Sequence, residues 1–292
     1  MLEYTIAALC MAALLAAGGN SAAPAQPAAA VTAQADTATA QIMQQAENQA
    51  VTAWQVTYST VPGSDVQDEP SLLTGRDAQG NVLVSYGRTE DGAWYLAGRN
   101  TYDAAGHLAR TVQWNADGSV LQQSDYTYNA QGDAVTAQSG LQTVKYTYVY
   151  DGKGRATRVQ ADTYVTGSDA LAGQIITETV YTDLPDGGWQ AKVTDTDTQS
   201  GEQSVRYETY DAAGRLTEQR MENGGAYVTR FSYDAQGRET EVQEILDGAV
   251  TRRIETAYGV DGLDTRTCEY GPDGTLRSQT DIRQIALPGT ES

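Results

Sequence analysis

The chain has 292 residues, 40% of them hydrophobic and 20% charged, with 18 Tyr, 4 Trp and a single Phe. Tyrosine suits surfaces that are packed on one side and wet on the other, so this composition argues against a thick core rich in Leu and Phe. A net charge of -19 argues against a nucleic-acid partner, because binding that backbone takes a basic patch to displace its counterions.

Residues 1–25 read as an export signal. The apolar stretch Tyr4–Ala17 precedes a run of small residues and is too short to cross a membrane comfortably, although no Lys or Arg stands before it. An uncleaved anchor is the second reading, and the one route to a membrane. Residues 26–53 read as an Ala/Gln/Thr-rich tether, in which the helix formers after Ala38 allow a short helix. Cys10 falls within the signal, which leaves Cys268 without an internal disulfide partner and reads it as a small buried hydrophobe.

From residue 54 to 288 the texture is that of a β protein. Alternating runs such as WQVTYSTV, KYTYVY and QIITETVY mark strands, and Gly with Asp or Asn separates them. One phrase recurs: an aromatic residue, then Asp, Asn or Gly, two variable residues and Gly. Copies begin at Tyr102, Trp114, Tyr128, Tyr150, Tyr210, Tyr233, Tyr258 and Tyr270, with a degenerate copy at Arg76. In the copy YDAAGRLT, Asp211 suits the first position of a type I turn and Gly214 suits a left-handed closing residue, which together predict a three-residue hairpin loop with a bulge. That register sets Asp211 against Arg215 and Tyr210 against Leu216. It predicts aromatic and aliphatic residues on one face, acid and base on the other. Tyr102, Asp103 and Gly106, and Tyr233, Asp234 and Gly237, are the same structural positions in two further copies. The aliphatic partner is missing where Tyr233 would meet Glu239 and Tyr258 would meet Asp264.

With the signatures YDAAGRLT at Tyr210 and YDAQGRET at Tyr233, the region from about 77 to 279 resembles the YD repeats of Rhs proteins. In that family the repeats form a long antiparallel β-strip that spirals into a shell around a secreted toxin. The resemblance implies a strip-like architecture and an envelope or secreted setting. The copies are too few to enclose a cargo domain, so effector delivery is not expected to carry over.

Few residues invite chemistry. His107 is the single His and stands where Arg215 stands in its own copy, so it reads as a hairpin residue. With one His and one distant Cys, neither a nucleophilic triad nor a His-containing metal site has support, and no cofactor is implied. Carboxylates are plentiful, but no pair is set for glycoside hydrolysis, and DTDTQSGEQ lacks the alternation of a calcium loop. The candidate binding residues are aromatic: Tyr146, Tyr148 and Tyr150 share one strand face, as do Tyr126 and Tyr128.

The expectation is therefore an all-β antiparallel hairpin-repeat strip or meander behind a short signal and tether. It would be exported and either secreted or associated with the cell envelope. It is expected to act without catalysis, as a structural or adhesive surface for a protein or glycan at the cell surface. The first alternative is a carbohydrate or cell-wall-binding module using the tyrosine ladders, and the second is a truncated fragment of an Rhs-type toxin shell.

Overall fold

The computed structural model of the chain describes residues 33–34, 37–45, 50–60, 62, 70–222, 227–259 and 264–286. The export-signal reading of residues 1–25 lies outside them. A two-residue strand β1 (Ala33–Gln34) and a helix α1 (Thr37–Met43) come first. The strands that follow are β2 (Ala53–Thr60), β3 (Pro70–Arg76), β4 (Val82–Arg88), β5 (Trp94–Tyr102), β6 (Leu108–Trp114), β7 (Val120–Tyr128), β8 (Ala134–Ser139), β9 (Gln142–Tyr150) and β10 (Ala156–Val165). The remainder are β11 (Leu171–Asp183), β12 (Trp189–Asp197), β13 (Gln203–Tyr210), β14 (Leu216–Met221), β15 (Val228–Tyr233), β16 (Glu239–Leu246), β17 (Ala249–Tyr258), β18 (Thr265–Tyr270) and β19 (Leu276–Ala286).

Each strand from β2 onward pairs antiparallel with its neighbours in sequence, and β19 returns to pair with β2 from Gln279↔Thr60 to Ile285↔Trp54. The all-β antiparallel reading holds. An open strip does not: the 18 strands β2 to β19 form a closed barrel. Closure removes the two unpaired edges that a strip would expose. Pairing of β19 with β18 ends at Ile282, and β1 lies parallel against Ile285 and Ala286 on the side thus left open.

Because the strands run up and down, their turns alternate between two rims. The turns β3–β4, β5–β6, β7–β8, β9–β10, β11–β12, β13–β14, β15–β16 and β17–β18 share one rim, and β1 also lies there. Most carry a bulge in the returning strand. Thr209 opposes Glu218 while Tyr210 opposes Leu216, which leaves Thr217 as the extra residue. The same shift recurs at Tyr102, Tyr128 and Tyr233. Register shifts also occur toward the opposite rim, as at Trp114 and Tyr270, and because each bulge bends its strand and increases its twist, bulges repeated around the sheet curl it toward closure.

The best-packed part of the barrel lies around the degenerate copy at Arg76. Trp54 and Val56 of β2, Leu73 of β3, Val84 and Tyr86 of β4 and Ile285 of β19 form one buried cluster with Met43 of α1. The short helix allowed by the sequence is thus docked through Met43, with Ile42 packed beside it, instead of lying in a free tether. Gly75 opposes Trp54 at this spot, and a Cβ there would lie 2.9 Å from methyls of both Val51 and Val84. Leu73 is fully buried and Leu141, at a hairpin tip, is 80% exposed. Leu73→Ala is expected to lower unfolding free energy by about 2–5 kcal/mol. Leu141→Ala should cost less than about 0.5 kcal/mol, both read from urea denaturation midpoints.

Candidate functional site: the tyrosine rim

The phrase YDAAGRLT builds its own turn. Asp211 N–H donates to Arg215 O at 3.0 Å and Gly214 N–H to Asp211 O at 3.0 Å, with Gly214 at φ 82°. The Asp211 carboxylate accepts the N–H groups of Ala213 and Arg215, each at 2.9 Å, and pairs with the Arg215 guanidinium at 2.6 Å. Asp103 with Gly106 and Asp234 with Gly237 repeat the arrangement, as does Asp151 with Arg155. Thr217, the bulge residue, donates its hydroxyl to Thr209 O at 3.0 Å; Thr157 and Thr240 do the same for Val149 and Ser232. A bulge takes one residue out of the ladder, and the threonine hydroxyl supplies a local bond there.

In the copies at Tyr102, Tyr128, Tyr233 and Tyr258 the tyrosine looks backward along the chain, to the preceding hairpin, whereas Tyr210 donates to Glu208 of its own strand at 2.8 Å. Main-chain pairing between β14 and β15 starts at Glu218↔Arg230, so the carbonyl of Leu216 lies beyond it, and the Tyr233 hydroxyl donates to that oxygen at 2.7 Å. Tyr102 bonds Val82 O, Tyr128 bonds Leu108 O, Tyr148 bonds Ala134 O, Tyr181 bonds Ala156 O and Tyr258 bonds Glu239 O, at 2.7 to 3.0 Å. In each case the acceptor opens a strand whose main-chain pairing with the next begins two residues later. The phenol therefore continues the ladder where the backbone stops. Burial, then the nearby Glu239 and Asp211 carboxylates, pushes the Tyr233 hydroxyl up to about 12, so it stays a donor at neutral pH.

Arginine completes the link. Arg155 lies over the Tyr181 ring at 4.2 Å, Arg215 over Tyr233 at 5.0 Å and Arg238 over Tyr258 at 4.2 Å. His107 takes the same place and stacks on Tyr128 with ring centroids 4.7 Å apart, while bonding Asp103 at 3.1 Å. This corrects the expectation that acid and base turn away from the aromatic face: the guanidinium spans from its own Asp to the next hairpin's Tyr. Pairing at Tyr233↔Glu239 keeps the common register although the aliphatic residue is missing, and Tyr258 pairs instead with Thr265.

Two groups depart from this pattern. Trp114 and Tyr270 belong to turns at the opposite rim and, by cross-strand pairing, to the opposite sheet face, so the eight copies do not form one aromatic surface. Sequence reasoning also passed over the LPDGG hairpin at 184–188, which lacks both Tyr and Arg. There Trp189 stacks on Tyr210 at 5.2 Å, filling the place the missing Arg leaves, and a Cβ on Gly188 would approach Tyr210 O to 2.2 Å. The Gly-Gly pair before Trp189 was the available signal.

The five candidate binding residues do meet on one face. Tyr126 opposes Ala137, which opposes Val144 on the strand of Tyr146, Tyr148 and Tyr150. Tyr146 and Tyr148 are 6.5 Å apart and tilted; Tyr148 and Tyr150 are stacked at 5.9 Å. Tyr150 donates to Asp133 at 2.5 Å and accepts from Asn129 at 2.8 Å. Tyr128 and Tyr148 are committed to the carbonyls named above. Cys268 is half-buried with its Sγ 4.0 Å from Gln279 Oε1.

Charged groups occupy mid-strand positions on both faces. On the tyrosine face Arg206 joins Asp195 and Glu208, and Arg252 joins Glu244 and Glu269 at 2.8 and 2.9 Å. On the other, Arg266 and Arg283 hold buried Asp281 at 2.7 and 3.1 Å, and Arg158 pairs with Glu178 at 3.0 Å.

Residues 210–244 match the family described as RHS Repeat, so the chain carries a YD-type Rhs repeat there. No curated protein matches the chain. Among solved structures, a porin-like protein from Bacteroides uniformis ATCC 8492 is similar over 80% of this chain and 96% of its own, at 11% identity and a TM-score of 0.37. That level of similarity bears on no functional assignment.

Tyr233→Phe should cost about 0.5–1.5 kcal/mol or more, because the Leu216 carbonyl loses its donor, and urea denaturation reads the loss. A second expectation concerns acid. The Arg155 N–H, then, against desolvation, the Arg155 guanidinium and the Lys153 N–H, holds the Asp151 carboxyl below the usual range. A depressed folded-state value contributes stability above the unfolded pKa of about 3.9 that is lost as pH falls through the folded value. Asn129 makes the same turn bonds natively, to Gln131 and Asp133. Asp151→Asn should therefore fold normally and flatten part of the stability loss as pH falls below about 4, measured by thermal melts at successively lower pH.

Proposed function

We propose that the chain is an exported, non-enzymatic repeat barrel that acts as a structural or adhesive surface at the cell envelope. One observation carries this reading: Tyr, Asp, Gly, Arg, Leu and Thr of the repeated phrase are each engaged in building a turn or joining it to the next. A phrase used in this way at hairpin after hairpin is a construction rule, and it converges on no single cleft. The Rhs repeat at 210–244 supports an exported setting by family habit.

The barrel is read as standing in water. A bilayer-spanning barrel needs an outward apolar band about 25 Å tall. Here mid-strand ion pairs sit on either face, so whichever face turns outward meets lipid with charge. The closed ring also gives little support to a fragment of a longer spiral, whose cut ends would leave strands unpaired.

A second reading, a glycan ligand on the Tyr146, Tyr148 and Tyr150 stack, is favoured by the offset ring geometry that sugar faces pack against. Two measurements separate these ideas. The full chain with a C-terminal tag is expected in the medium or the envelope fraction of a bacterial host, and recovery only from the cytoplasm would overturn export. The double variant Tyr146→Ala/Tyr148→Ala should melt at lower temperature. If it instead melts like the native barrel and loses retention on isolated cell wall, the glycan reading replaces the structural one.

A further inference from the structure

Exposed apolar side chains are unevenly placed on this barrel. Among the described residues, every large exposed one except Val149 and Val180 lies at the rim opposite the tyrosines. Leu141 tips the β8–β9 hairpin, Val120 and Leu121 open β7 at 59% and 62% exposure, and Leu171 opens β11. Thr166 N–H donates to Leu141 O at 2.8 Å, which sets the β8–β9 tip against the β10–β11 tip. Leu246 and Leu276 place further exposed apolar groups at the β16–β17 and β18–β19 turns. Single exposed apolar residues are ordinary, but a rim that collects them marks an interaction surface.

The charge of the same rim narrows the partner. Among the described residues, the turns there at 89–93, 115–119, 166–170, 198–202, 247–248 and 271–275 each contain Asp or Glu but no Lys, Arg or His, and the Arg88 guanidinium beside them is turned onto Gly92 O and the Trp94 ring. The tyrosine rim, by contrast, sets Lys153, Arg155, Arg215 and Arg238 among its acids. Asp117, Asp197 and Asp273 accept hydrogen bonds from Ser119, Ser200 and Thr275 in their own turns, which hold these carboxyls below the usual range and fully charged at neutral pH.

We propose that this acidic, apolar rim is a docking surface for a protein partner whose contact segment is basic and amphipathic. A second copy docked rim to rim would set acid against acid, as would an anionic lipid surface, whereas a cationic segment bearing Leu-sized side chains matches both the charge and the exposed apolar groups. Among the described residues, β1 and the end of β19 lie at the tyrosine rim, away from the docking end. The proposal rests on the reading of the barrel as a presenting surface and adds the chemistry of what it presents to.

The test titrates the full chain into a labelled synthetic helix of Leu and Lys, with a Leu/Glu helix and anionic vesicles as separate arms. The Leu/Lys helix is expected to bind at least about tenfold more tightly than the Leu/Glu helix, a difference of about 1.4 kcal/mol. Binding should weaken when salt rises from about 0.1 M to about 1 M and the screening length falls from about 10 Å to about 3 Å. The variant Leu121→Ser/Leu141→Ser/Leu171→Ser keeps every charge and should melt like the native protein yet lose about tenfold in affinity. Undiminished binding by that variant, equal binding of both helices, uptake on anionic vesicles, or a dimer that the variant dissolves would each overturn the proposal. A folded, exported protein with a silent rim removes this inference alone, and a cytoplasmic protein with a binding rim removes only the export reading.

Discussion

The fold depends on a bond from a phenol to a main-chain carbonyl one hairpin away. Successive hairpins of this barrel pair along most of their length, but their ladders stop two residues short of the tyrosine rim. A carbonyl left there without a donor would cost about 1–3 kcal/mol if shielded from water. Tyr233, Tyr128 and Tyr258 answer this at Leu216, Leu108 and Glu239, and their rings in turn lie beneath Arg215, His107 and Arg238. Since each Arg or His is anchored by the Asp of its own turn, one hairpin's electrostatics fixes the position of the next hairpin's aromatic ring. The repeat is therefore a unit of attachment as much as a unit of structure.

This explains why the barrel tolerates so thin a core. Stability is spread around the rim in small local contacts, and among the described residues the densely buried cluster lies under α1 and across β2, β3, β4 and β19, around the degenerate copy at Arg76. That cluster also spans the seam at which the first and last barrel strands meet. Buried Asp281 beside Arg266 and Arg283 adds a polar lock close by on β19; a buried acid held by two guanidinium groups is strongly unfavourable to break, though of little net gain over an apolar packing.

The two rims have diverged in consequence. Pairing demands at the tyrosine rim fill it with Arg, His and aromatic side chains whose polar ends are used up. At the other rim the cations sit on the strands, where Arg88, Lys145 and Arg253 lie over Trp94, Tyr164 and Tyr270, and the described turns themselves carry acid beside exposed apolar side chains.

Much of the hairpin was legible in the residues alone. Asp211, Gly214 and Leu216 declare the turn, its left-handed residue and the partner of Tyr210, because turn geometry is a local matter settled within about six residues. The alternation that puts Tyr146, Tyr148 and Tyr150 on one face was equally readable from period two. What the residues could not declare was where Tyr233 sends its hydroxyl and which ring Arg215 covers, since both contacts cross to the adjoining hairpin across loops of varying length. Nor could they show that Trp114 and Tyr270 turn to the other face, or that β19 meets β2. By itself the sequence determined the hairpins, the antiparallel class and the type of repeat. Only the tertiary structure decided that the sheet is a ring, because curvature is summed over many bulges and closure joins strands more than two hundred residues apart, where no local rule reaches.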